Sequence, residues 1–100
     1  MATVSKALAR IAAATSSTTL YTVPASTTAV VTNIAVTNSA ATAATFTITL
    51  DGVDLFKDAA IAANTTALFD LKQVLATTKI IAGLASAITV KFHISGVEIS

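Results

Sequence analysis

A chain of 100 residues is long enough for one domain with one hydrophobic core, and too short for a second. Its formal net charge of +1 and its low content of charged residues, 11%, provide no long-range field, so we expect neither nucleic acid nor a membrane as a partner. The absence of cysteine excludes disulfides and thiolate metal sites.

The first 17 residues allow three interpretations. Ser5 could cap a short Ala-rich helix over residues 6–14, or residues 4–10 could run as a strand or as an arm. A helix of this length is marginal on its own, and Thr and Ser residues follow it at once. We therefore predict an N-terminal arm over residues 1–17 and a single β-sandwich domain over residues 18–100.

The uncharged segment over residues 11–50 is not predicted to span a membrane. Pro24 interrupts it, and Thr, Ser and Asn recur throughout its length. We expect a soluble chain that is not processed.

Alternation with a period of two predicts a short strand at residues 19–23 and a long one at residues 28–38. In the long strand, Val30 and Ile34 share one predicted face. The opposite face carries Val31, Ala35 and Thr37. Because apolar residues lie on both faces, we predict that this second face contacts another subunit.

The clearest strand signal lies at residues 44–50, where apolar residues alternate with threonines. Asp51 and Gly52 follow, and this dipeptide favours a type I′ turn, so we predict a hairpin over residues 44–57. A loop is then expected at residues 58–64.

Three further strands are predicted from the same alternation, at residues 65–71, 78–84 and 86–99. In the last of them we expect Ile88, Val90, Phe92 and Ile94 to point inward, with a bulge or kink at Gly96. Short strands separated by frequent turn signals predict an all-β fold, an antiparallel β-sandwich of seven or eight strands.

No constellation of residues points to catalysis or to a cofactor. His93 is the only histidine, and no nucleophile motif accompanies it. Asp51, Asp54 and Asp58 lie around the predicted hairpin, but their spacing does not match a calcium-binding loop. We therefore expect no enzyme activity, no cofactor and no metal.

The apolar excess, 54% of residues, predicts a surface that another molecule covers, most simply a second copy of the chain. The acid-free N-terminal segment and the strand faces described above supply the candidate contacts. The candidate interface residues are Lys6, Leu8, Arg10, Ile11, Tyr21, Val31, Ala35 and Thr37.

Short features over residues 18–100 follow one another in a recognisable order. They are Tyr21-Thr22-Val23-Pro24, Asn33-Ile34, Asn38-Ser39, Asp51-Gly52, Ala62-Ala63-Asn64 and Gly96-Val97-Glu98. In this order they resemble a family of small virion proteins of tailed bacteriophages.

The resemblance implies a β-sandwich, in many members a jelly roll, that acts as a capsid decoration or cement protein. It further implies homotrimers on the outer surface of the phage head that clamp neighbouring major capsid subunits, with no catalytic residue. The alternative is a tail or fibre module that binds a host receptor or glycan, although loops dominated by alanine offer little for sugar stacking.

Overall fold

The computed structural model describes residues 3–100, which form eight β-strands and no helix. In chain order the strands are β1 (Thr3–Ala12), β2 (Thr18–Thr22), β3 (Thr28–Asn38), β4 (Ala44–Leu50), β5 (Val53–Ile61), β6 (Thr65–Leu75), β7 (Ile80–Ala85) and β8 (Val90–Ile99). No helix capable of crossing a membrane occurs in this part of the chain.

The strands form two four-stranded sheets that pack face to face. Sheet A has the order β1-β8-β3-β6 and sheet B has the order β2-β7-β4-β5, with every neighbouring pair antiparallel. Most neighbours are distant in sequence, and this strand order is that of an eight-stranded jelly roll. The predicted all-β antiparallel sandwich of jelly-roll type is therefore confirmed.

The expected N-terminal arm is wrong for residues 3–12, which belong to sheet A. Strand β1 pairs with β8 along its whole length, from Thr3 opposite Ile99 to Ala12 opposite Lys91. This pairing provides hydrogen-bond partners for the backbone groups along one edge of β8. Leu8 of β1 is buried. Residues 1 and 2 of the expected arm lie outside the described residues.

The core lies between the sheets and contains four phenylalanines, of which Phe46 and Phe92 are buried and Phe56 and Phe69 are partly buried. Phe46 is 1% exposed, and its ring centroid lies 5.6 Å from that of Phe56 and 6.2 Å from those of Phe69 and Phe92. Tilted and edge-on rings at these distances are a favourable arrangement. These strands bring aromatic residues of both sheets together, as expected for side chains that pack in a core.

The long strand β3 contains an irregularity that exchanges its two faces. Its register shifts between Val31 and Asn33 against both neighbouring strands, so that Thr32 is an extra residue relative to β8. Val31 is fully buried and Val30 faces outward, while Ile34 is buried as expected. The predicted faces are therefore wrong on the N-terminal side of Thr32, where the bulge reverses the alternation.

Gly96 lies where the strands on both sides of β8 are irregular. Strand β1 shifts register between Ala7 and Ala9, so that Leu8 is extra on that side. A Cβ atom at Gly96 would lie 2.2 Å from the carbonyl oxygen of Val30 and 3.0 Å from Cδ1 of Leu8. The sheet therefore needs a residue without a side chain at this point, and the extra residues belong to the flanking strands.

The predicted hairpin between β4 and β5 is confirmed. Asp51 and Gly52 both have positive φ, 54° and 77°, and Leu50 pairs with Val53 across them. Strand β5 continues to Ile61, so the loop expected at residues 58–64 is confined to residues 62–64. Relative to β4, strand β5 has extra residues at Leu55 and at Lys57–Asp58, where Asp58 has φ of 47°, and the two strands stay paired as far as Ile61.

Candidate interaction surface

Four loops gather at one end of the sandwich, and none of them contains a charged residue. We call this surface the loop end and define it as residues 13–17, 39–43, 62–64 and 86–89. Alanine, serine and threonine dominate it, and Ile88, expected to point inward, is 69% exposed there. At the opposite end of the sandwich, Lys79 and Asp51 form an ion pair at 3.7 Å.

Asn38 organises the loop end from beneath. It is the last residue of β3 and is fully buried. Its Nδ2 donates to the carbonyl oxygens of Thr42 at 2.8 Å and of Ala62 at 3.4 Å. Its Oδ1 accepts from the amide of Ala40 at 3.1 Å and from the hydroxyl of Thr89 at 3.2 Å. One side chain thus connects three of the four loops.

Backbone hydrogen bonds complete the frame of the loop end. The loop after β1 is fixed by Ala13 N to Val90 O, at 2.8 Å, and by Ala85 N to Ala14 O, at 3.0 Å. The other loops are joined by Ser39 N to Thr89 O, Asn64 N to Ala40 O and Ser86 N to Thr45 O, at 3.2, 3.0 and 2.9 Å. A surface held in this way has little conformational freedom left to lose when a partner binds.

The outer faces of the two sheets carry threonines as well as charged residues. On sheet B, the outward side of β4 carries Thr45, Thr47 and Thr49, of which Thr47 is buried by the bulge of β5 and accepts a hydrogen bond from the Asp58 amide at 3.0 Å. On sheet A, the hydroxyl groups of Thr37 and Thr66 form a hydrogen bond of 3.0 Å. These faces offer hydroxyl groups and small side chains, and sheet A also carries charged side chains on this side, Arg10 and Asp70 among them.

A polar cluster joins the two sheets near the edge formed by β1 and β2. The Tyr21 hydroxyl donates to the carboxylate of Glu98, and Lys6 Nζ lies 3.4 Å from the same carboxylate. The hydrogen bond from Tyr21, helped by Lys6 and opposed by desolvation, holds the pKa of Glu98 below its usual range. Burial, together with the carboxylate, raises the pKa of Tyr21.

This cluster predicts a pH dependence of stability. Because the pKa of Glu98 is lower in the folded state, its stabilisation is present above the unfolded pKa, about 4.3, and is lost as pH falls through the folded value. Because the pKa of Tyr21 is higher in the folded state, its stabilisation is present below about pH 10 and is lost as pH rises further. Tyr21→Phe should therefore lower the melting temperature most between about pH 5 and 9.

Thermal unfolding of both proteins between pH 2.5 and 10 tests this prediction. The difference in melting temperature should shrink as the pH falls below about 4, because the unfolded chain then binds a proton at Glu98 more readily than the folded chain does. A difference that is the same at pH 3 and pH 7 would show that the hydroxyl of Tyr21 does not act through Glu98.

The candidate interface residues fall into three groups in the structure. Leu8 and Val31 lie in the core, so they are not available for contact, and their assignment is wrong. Lys6 and Tyr21 come together at Glu98. The remaining residues are wholly or partly accessible in sheet A, and they are Arg10, Ile11, Ala35 and Thr37.

Arg10 and Ala35 lie on the same row of sheet A, on either side of His93. His93 is exposed, and residues 3–100 contain no cluster of three or more acidic or histidine side chains that could hold a metal ion. His93 is therefore an exposed side chain between Arg10 and Ala35 on the outer face of sheet A.

The sequence reasoning missed Asn38 and Ile88 as residues of this surface. The alternation places Asn38 on the same face as Ile34 and Val36, but it does not indicate that loops distant along the chain supply the hydrogen-bond partners of this side chain. The available signal was the lack of charge in the loops, which becomes informative only when the fold places them at one end.

No protein-family model matches the chain, and no curated protein matches it. Among solved structures, the chain is similar to a pentameric capsid protein isolated from metagenomic phage sequences, with 19% identity and a TM-score of 0.42. The likeness covers 96% of this chain, which spans 59% of the length of that protein. A likeness of this degree assigns neither a function nor an assembly to the chain.

Proposed function

We propose that the chain is a structural protein of a bacteriophage virion and not an enzyme. In this proposal it is a decoration or cement protein that binds the outer surface of the head and stabilises contacts between major capsid subunits. It acts as a homotrimer, as the family resemblance over residues 18–100 implies.

The observation that carries the proposal is the loop end, whose own residues are uncharged and already ordered; Lys91 of β8 reaches its border, where Nζ donates to Ser39 Oγ at 2.9 Å. The centres of protein interfaces are depleted of charged residues, as the loop end is. Asn38 and the backbone bonds between the loops hold this surface in one conformation, which lowers the entropy lost on binding. Binding energy of this kind stabilises a shell when it is repeated at many sites.

Ile88 is the side chain on the loop end that is best placed to enter a pocket of a partner. It is 69% exposed, and apolar side chains that become buried at the centre of an interface contribute strongly to affinity. Ile88→Asp should therefore weaken binding to phage heads that lack the protein by about tenfold or more, because a carboxylate would be desolvated in the contact.

Val53→Asp is the matched control for this experiment. Val53 is also 69% exposed, but it follows the Asp51-Gly52 turn at the opposite end of the sandwich. Co-sedimentation with heads and circular dichroism are measured for both variants. Unchanged binding by a folded Ile88→Asp variant would rule out the loop end as the contact.

The number of copies in each virion separates the proposal from a tail or fibre role. Quantitative mass spectrometry of purified particles should find hundreds of copies for a protein that covers the head. A handful of copies would instead favour a module of the tail or fibre that binds a host receptor or glycan.

A further inference from the structure

The edge of the sandwich formed by β5 and β6 is where the hydrophobic core reaches the surface. The partly buried apolar side chains there are Leu55, Phe56 and Ala59 on β5 and Ala67, Phe69 and Leu71 on β6. The rings of Phe56 and Phe69 lie 4.6 Å apart across this edge. On the outer face of β6, Leu68 and Val74 are 70% and 69% exposed.

Strand β6 is also one of the two edge strands of sheet A; the other is β1. It pairs with β3 on one side, and in the described range no strand pairs with its other side. Its eleven residues contain no proline and only two charged residues, Asp70 and Lys72. Relative to β3 the strand has one extra residue, at Leu71–Lys72 opposite Thr32, and residues 68, 70, 72 and 74 are exposed on both sides of this point. A long edge strand of this kind is a template for pairing with another strand.

We propose that β6 pairs with β6 of a second copy, in antiparallel orientation, about a two-fold axis at Leu71. This register places Asp70 of each copy opposite Lys72 of the other, and Leu68 opposite Val74. Every charged residue of the strand then faces an opposite charge, and the two most exposed apolar side chains face each other. A continuous eight-stranded sheet results, and the second copy covers the apolar edge.

The outer face of sheet A supports this register. Leu68, Asp70 and Val74 lie opposite Ala35, Asn33 and Val30 of β3, all on the outer face. Within residues 3–100, Asp70 forms no ion pair and accepts only a hydrogen bond from Asn33 Nδ2, at 3.3 Å. Lys72 also has no ion-pair partner in this range, so both charges are available for a second copy.

The other long edge strand of sheet A lacks this self-complementarity. Strand β1 contains Lys6 and Arg10 and no acidic residue, so pairing with its own copy brings together charges of the same sign. A two-fold axis at Leu8 would place Lys6 directly opposite Arg10. The charge pattern therefore selects β6 rather than β1 as the edge that joins two copies.

The β6 contact adds to the proposed function, and the role of this contact in a virion rests on that function. It is a two-fold contact, so it joins two copies whether they are free or belong to neighbouring trimers on a shell. Its existence can be tested on the purified chain alone.

Cysteine cross-linking tests both the contact and its register, because the chain has no cysteine of its own. Opposite residues in an antiparallel pair have Cα atoms about 4.5–5.5 Å apart, within the range of a disulfide. Leu68→Cys/Val74→Cys should therefore give disulfide-linked dimers on oxidation. Positions 68 and 74 lie about 20 Å apart along one strand, so a bond within one chain cannot form.

The single variants Leu68→Cys and Val74→Cys are the controls. Neither position faces itself in the proposed register, so each alone should stay monomeric on a non-reducing gel, and an equal mixture of the two should cross-link. Cross-linking by a single variant, or none by the double variant, would overturn the register.

Charge exchange tests the contact by an independent route. Asp70→Lys should raise the dimer dissociation constant, measured by sedimentation equilibrium, about tenfold or more, because like charges then face each other. Asp70→Lys/Lys72→Asp should restore the value to within about threefold. A chain that stays monomeric at all concentrations, or a double variant as weak as the single one, overturns the contact.

The two proposals fail in different ways. Cross-linked dimers without binding to heads would leave the β6 contact intact and overturn the decoration role. Binding to heads without any cross-linked dimer would overturn the β6 contact and leave the decoration role intact.

Discussion

Asn38→Ala is expected to lower the free energy of unfolding by about 3 kcal/mol and the melting temperature by more than about 10 °C. The buried side chain makes four hydrogen bonds to three loops, and each is worth about 1 kcal/mol net. Alanine would leave carbonyl and amide groups of the loops without their partner. Urea unfolding followed by circular dichroism measures the change.

Asn33→Ala is the matched control, because Asn33 lies in the same strand and makes one hydrogen bond, to Asp70 at 3.3 Å. Its loss should change the free energy of unfolding by less than about 1 kcal/mol. Asn38→Ala should in addition increase amide exchange in residues 39–43, 62–64 and 86–89. Equal stability of the two variants would mean that water replaces the Asn38 side chain without loss.

Gly96→Ala is expected to destabilise the protein by about 3 kcal/mol, at the upper end of the range for overpacking. The added methyl group would lie 2.2 Å from the carbonyl oxygen of Val30, a backbone atom that cannot move without shifting β3. Separation of β3 from β8 would weaken the two central strands of sheet A.

Gly52→Asn is the control for a glycine in a different setting. Gly52 has φ of 77° and no atom near the position of a Cβ, and asparagine accepts this conformation in a hairpin turn. Its free energy of unfolding should therefore stay within about 1 kcal/mol of the original. If Gly96→Ala were no more destabilising than Gly52→Asn, the close approach of β3 to β8 would not limit stability.

The parts of the fold that were predicted correctly are those specified by neighbouring residues. Asp51 and Gly52 define a type I′ turn by their own φ preferences, and the alternation of residues 44–50 is visible without knowledge of a partner. The sandwich class follows from many such segments. No step in these inferences needs a contact between residues that are distant along the chain.

Two of the errors concern contacts that are distant along the chain. Strand β1 is recognisable as a strand through its pairing with β8, which lies at the other end of the sequence. Val31 points inward because Thr32 bulges beside Gly96, more than sixty residues later. The third error is local: β5 extends to Ile61 because its hairpin partner β4 continues to pair with it past Asp58.

The candidate surface was the least predictable feature. Lack of charge in four short loops was visible in the sequence, but jelly-roll connectivity brings these loops to one end. The burial of Asn38 depends on three of them. The exposure of Ile88 also depends on the strand connectivity, because residues 86–89 form a loop between β7 and β8 rather than the start of β8.

The low charge of the loop end also determines how fast and under which conditions a contact through it can form. The loops themselves carry no charge, and Lys91 at their border is a single cation, so electrostatic steering is weak. Association rate constants without strong steering are about 10⁵–10⁶ M⁻¹ s⁻¹ and change little with salt. Affinity at such a surface then depends on slow dissociation, which burial of Ile88 and the ordered loops would provide. A partner bound in this way would remain bound through large changes in ionic strength.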